Sequence, residues 1–166
     1  RKQLLPAAAW AAATSTTEVG RGEVDPYPQR WIAGDLLGWA CDPGGAAVDV
    51  IHSSYAVHHL QDAEKAQWLA GCRRRIAPGG CLIWIDVFRE AGESRSDYLA
   101  RYGARVGRWS GLSPQQRQAV LGHIQRFDHP AERGAIESMA AVAGWSWQWA
   151  WQGGHGAEAM AVLRPA

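Results

Sequence analysis

From Asp62 onward the apolar positions Trp68, Leu69, Cys72 and Ile76 recur at helical spacing, while Lys65, Arg73 and Arg74 fall mostly off that stripe. The spacing predicts an amphipathic helix, with Asp62 as its N-cap and the run APGG after Ile76 as its stop. On either side the pattern changes. AAVDVIHSS before the helix and CLIWIDVF after it are continuous apolar runs of strand length, interrupted by Asp49 near the entry of the first and ending on Asp86 near the exit of the second. A strand, a helix and a strand in about forty residues make a βαβ unit, which implies a parallel pair with a right-handed crossover.

Upstream, RKQLLPAAAWAAA has the Ala and Leu content of a helix kinked at Pro6, and TSTTEVGRGEVDPYPQ collects Gly, Pro and Thr as a loop. RWIAGDLL then reads as a short strand closed by Gly34, with Asp35 at its end, and CDPGG as a turn. Downstream of the polar REAGESRS, helices are expected over 98–106, 114–127 and 132–143, the second opened by Ser113 before Pro114 and the third closed by Gly144. WSWQWAW alternates Trp with small or polar residues at period two, and AEAMAVLR after GGHG completes a terminal hairpin. One face of WSWQWAW is expected to pack and the other to be exposed, and a Trp on the exposed face would mark a partner surface. The whole chain, 1–166, reads as one α/β domain whose parallel sheet ends in an antiparallel pair, with helices on both faces.

Composition narrows the function classes. With 47% apolar and 20% charged residues among 166, the chain can build a core of its own. Seventeen basic against sixteen acidic side chains leave a net charge of +1, so no basic field would attract nucleic acid. No apolar run approaches bilayer length and no leader pattern opens the chain, which sets the expectation of a cytoplasmic protein with no membrane partner. Three cysteines without metal-like spacing are expected to be reduced. The start at Arg1, inside an Ala-rich segment, sets the further expectation that an N-terminal part is missing.

Ligands of open parallel sheets bind beyond the carboxyl ends of the strands. Those ends are Gly34-Asp35-Leu36, Ser53-Ser54-Tyr55 and Asp86-Val87-Phe88. Taken with the HHL strand exit, the acidic start of the helix and the junction RRIAPGGCLIWID, the stretch from Trp31 to the C-terminus resembles the class I S-adenosylmethionine-dependent methyltransferases. The resemblance implies a Rossmann-like open sheet, S-adenosyl-L-methionine as cofactor and a small-molecule substrate. It places Asp35 on the adenine amino group, the backbone of Leu36 beside an adenine ring nitrogen, and Gly34 next to them. Ser53, Ser54 and Tyr55 would border the methionine half, and residues 89–130 would form a helical substrate cover. The family's glycine-rich first loop has no counterpart here, and GRGEVD is no substitute, because it follows no strand.

For proton transfer the candidates are His58, His59 and Asp86. A metal site is not expected. The adjacent His58 and His59 should point to different faces of a strand or a helix, no carboxylate stands at an HExxH-like offset, and no Cys joins them. One histidine should pack at the helix entrance and the other face the cleft. A serine hydrolase is disfavoured by the lack of a GxSxG elbow. Two readings follow. Either the chain is the C-terminal part of a methyltransferase, inactive alone, or it is a non-catalytic α/β interaction module whose bare sheet edge is covered by a second copy or a partner chain.

Overall fold

The computed structural model describes residues 33–166, so the Ala-rich opening, the loop after it and the RWI of the expected first strand lie outside the described residues. Past Ile32 the strand expectation is corrected. Ala33 to Asp35 is irregular and Leu36–Cys41 forms a helix, α1. The cause is local: Asp35 has extended backbone and its carboxylate accepts the Gly38 N–H at 2.7 Å, which caps the turn that Leu36 and Leu37 begin.

The βαβ unit is present. Strand β1 (Val48–Ser54) leads through a 3-10 turn (Val57–His59) into α2 (Asp62–Arg75) and then β2 (Ile76–Val87), and β1 and β2 pair in parallel from Val50 opposite Cys81 to Ser54 opposite Ile85. Asp62 is the first helical residue rather than the cap; the Gln61 N–H donates to Glu64 Oε2 at 2.7 Å. The APGG run belongs to β2 instead of a separate loop. The β1–β2 register shifts between Val48 and Val50, and the Asp49 carbonyl comes so near Gly80 that a Cβ there would lie 2.4 Å from it.

Three helices follow, α3 (Arg95–Val106), α4 (Pro114–Phe127) and α5 (Arg133–Val142), capped by Ser94, Ser113 and Glu132. The hairpin β3 (Trp145–Gln152) and β4 (Glu158–Pro165) then returns to the sheet, whose order is β1-β2-β4-β3. Strand β4 runs antiparallel to both β2 and β3, so the described sheet has one parallel and two antiparallel pairings.

One sheet face carries Ile51, Leu82, Trp84, Ala161 and Leu163, and α1, α2 and α5 bury it with Ala40, Trp68, Leu69, Cys72, Ile136 and Ala140. At about 25 cal/mol per Å², two fully buried tryptophans (Trp68 and Trp84) of about 150–250 Å² each contribute on the order of 4–6 kcal/mol apiece. On the other face α3 packs Tyr98 against Val87 and Ala157. The Trp ladder resolves in favour of the core. Trp145, Trp147 and Trp149 face the packed side, where Trp147 meets Trp84 and Trp149 meets Phe88, and only after a register shift does Trp151 emerge, half exposed.

Candidate active site

The carboxyl ends of β1 and β2 lie side by side, and the chain between β1 and α2 is drawn in over them by one residue. Asp86, fully buried, accepts the N–H groups of Val57 (3.0 Å) and His58 (3.1 Å) and the Trp84 indole N–H (2.9 Å) on Oδ2, and the Val87 N–H (2.9 Å) on Oδ1. Its Oδ1 also meets His58 Nδ1 at 2.5 Å. A buried carboxylate needs this many donors to remain ionised. Burial would lift its pKa, but the facing His58 charge and these hydrogen bonds overcome it and hold Asp86 below the usual carboxylate range. For His58 burial works downward, and the Asp86 charge and hydrogen bond, helped by Asp128, raise it above the ordinary imidazole value. Because an ionised carboxylate can only accept, the His58 nitrogen that faces Asp86, Nδ1, is the one that carries the proton between them.

The tight 3-10 turn also settles the orientation of the adjacent histidines. Contrary to the sequence expectation, both rings project to the same side, with centroids 4.0 Å apart, and neither faces open solvent, their side chains being 9% and 12% exposed. His58 Nε2 and His59 Nδ1 each lie 3.6 Å from Asp128 Oδ1. Asp128 is the residue that sequence reasoning missed. It is the C-cap of α4, some seventy positions away, and the only local signal for it was an acid between Phe127 and His129. The segment that carries it is laced onto the site: His129 N–H donates to the His58 carbonyl (2.7 Å), Lys65 Nζ to the His129 carbonyl (2.6 Å), and Arg89 N–H to the Ala131 carbonyl (2.8 Å). Lys65, itself buried, ends on the Leu60 carbonyl and the Asp62 carboxylate as well.

Burial pushes Asp128 up to about 6, with Asp86 adding and His58 opposing. Burial and the His58 charge push His59 down to about 4. Asp128 Oδ1 has no hydrogen-bond partner.

The other expected site residues divide. Ser53 is buried on the helix-covered face with its Oγ unpaired, whereas Ser54 and Tyr55 are exposed where β1 ends. Tyr55 takes a left-handed backbone (φ 49°) while its N–H donates to the Ile85 carbonyl at 2.9 Å, an unusual conformation for a non-glycine residue. Gly34 and Asp35 are exposed at the start of α1, and Leu36 is half-buried in its first turn.

No family model matches the chain. Over 60 residues it is 41% identical to an uncharacterized methyltransferase of Geobacillus kaustophilus, a match covering 36% of this chain and 27% of that protein. Among solved structures, LaPhzM superposes with a TM-score of 0.58 at 18% identity, over 94% of this chain and 40% of its own. An O-methyltransferase family protein from Burkholderia thailandensis gives 0.56 at 14% identity, over 82% and 36%. Mitomycin 7-O-methyltransferase MmcR gives 0.53 at 13%, over 82% and 34%. The chain has the class I methyltransferase fold. Within that fold the described residues span well under half the length of each of these proteins. They supply the βαβ unit whose strand ends carry His58, Asp86 and Ser54, together with the closing hairpin.

Proposed function

We propose that this chain is part of an S-adenosyl-L-methionine-dependent methyltransferase acting on a small-molecule acceptor in the cytoplasm. The observation that carries the proposal is the His58–Asp86 pair at the carboxyl ends of β1 and β2, in a chain with the class I methyltransferase fold. The 60-residue match to a methyltransferase supports the same reading.

Residues at the start of α1 and the end of β1 suit the cofactor. Asp35 uses Oδ1 on its own helix cap, which leaves Oδ2 to accept an amino group. Leu36 opens α1, so its N–H has no partner inside the helix and can meet a ring nitrogen. The unpaired hydroxyl of Ser53 and the left-handed Tyr55 mark the end of β1 as a place of close backbone approach. When bound, the cofactor supplies a methyl group already activated by sulfonium charge, so the protein mainly positions the reactants. Asp86 is wholly engaged as an acceptor and acts as a positioning residue: it fixes the His58 tautomer and leaves Nε2 as the nitrogen able to take a proton. Helices α3 and α4, within 89–130, serve as the substrate cover in this reading.

Calorimetric titration of the full chain with S-adenosylmethionine tests it. One site per chain is expected, with D35N binding about tenfold weaker, because Asn still caps α1 but loses the second carboxylate acceptor. Absence of binding by the folded parent chain would overturn the assignment of Asp35, Leu36 and Ser53 to a cofactor site that this chain holds by itself. It would favour the second reading, a non-catalytic module, which one feature supports: Val50 is 54% exposed on β1, whose outer edge has no pairing strand among the described residues.

A further inference from the structure

We infer that His58, His59 and Asp128 form a binding site for a divalent transition-metal cation of the zinc class. The three residues each present one donor atom within 4.8 Å of the others. Asp128 Oδ1 stands 3.6 Å from both His58 Nε2 and His59 Nδ1. Ligands about 2.0–2.1 Å from a tetrahedral zinc ion are themselves about 3.4 Å apart, so the two separations from Asp128 need to close by only a few tenths of an ångström, and a bound ion would replace the 3.3 Å hydrogen bond that His59 Nδ1 makes to the Phe127 carbonyl.

Independent features of the same cluster point to a cation. Asp128 Oδ1 is buried, aimed at the two imidazoles and without any hydrogen-bond partner, a costly state for a carboxylate oxygen that a metal ion would relieve. Asp86 holds the proton of His58 on Nδ1, which turns the Nε2 lone pair toward Asp128; a carboxylate behind a histidine in this way is the usual outer shell of a metal-bound imidazole. Charge also balances. Two buried carboxylates, Asp86 and Asp128, face the pair, and a dication neutralises them, while the nearby Lys65 ammonium is already held by Leu60, His129 and Asp62. Two histidines and one carboxylate are a donor set suited to Zn²⁺ or Fe²⁺ and poorly suited to Mg²⁺ or Ca²⁺.

The inference stands apart from methyl transfer and can hold if that reading fails. If both hold, they compete, since a cation and a proton cannot share His58 Nε2.

The test uses the full chain, stripped with chelator and free of S-adenosylmethionine. Titration with Co²⁺ should produce visible d–d absorption that saturates at one equivalent and is displaced by Zn²⁺. Zn²⁺ should raise the melting temperature of the parent and of the remote surface variant H155A, but not of D128N or H59A, each first shown by circular dichroism to be folded. If no Co²⁺ band appears, or if D128N and H59A bind as the parent does, the site does not exist.

Discussion

A single carboxyl group organises the site. Asp86 gathers two backbone N–H groups of the 3-10 turn and the Nδ1 of His58, while the Phe127 carbonyl accepts from His59 Nδ1, and both rings lie on the same side, where Asp128 meets them. The resulting cluster has a pH signature with opposed signs. Asp128, raised from 3.8 to about 6, binds its proton more tightly folded than unfolded, so its contribution to stability grows as pH falls through 6 toward 4. His59, lowered from 6.5 to about 4, resists protonation when folded, so its contribution is present above 6.5 and is lost as pH falls toward 4. The D128N substitution removes the first effect and leaves the second. In chelator, urea unfolding at about pH 7 and about pH 4 should therefore show the D128N protein losing stability relative to the parent on acidification, by on the order of 2 kcal/mol. Parallel curves for the two proteins would refute the assignment.

Among elements, caps and close approaches carry the most specific information. Glu132 caps α5 by accepting the N–H groups of Gly134 (3.1 Å) and Ala135 (2.7 Å), and E132A should cost about 1 kcal/mol in chemical denaturation. Helix α2 presses against α1 at Gly71, where a Cβ would lie 2.5 Å from the Ala40 carbonyl. G71A should therefore cost more than the cap variant, about 1–3 kcal/mol, despite Ala being the better helix former. Both helices were legible in advance, α2 from its apolar stripe and α5 from its closing Gly144. Helix α1 was not, because GDLL suits a strand exit and a capped turn equally, and only the hydrogen bond that the Gly38 N–H donates to Asp35 separates the two.

For the molecule as a whole, the sheet is held by one aromatic column. Trp84 at the centre of β2 packs edge to face with Trp68 of α2, Phe88 beyond its own strand and Trp147 of the hairpin, joining the βαβ unit to the chain's end. W84A also removes an indole N–H from Asp86. It should destabilise by about 3–5 kcal/mol and broaden the unfolding transition, as the hairpin loses its anchor. Unchanged cooperativity would show that β4 pairing alone joins the two parts.

Period and punctuation determined a good deal from the chain by itself. A 3.6-residue stripe, two apolar runs and an alternating Trp ladder specify α2, β1, β2 and β3, because each element must bury one face and its spacing records which. The same reading found Asp86, His58 and His59, since strand ends on a parallel sheet are where polar groups converge. Tertiary structure alone decided what they do there. Asp128 reaches the histidines from far along the sequence, and the histidines turn together because Asp86 holds His58 and the Phe127 carbonyl holds His59, two facts that rest on contacts between distant segments, for which local periodicity leaves no trace.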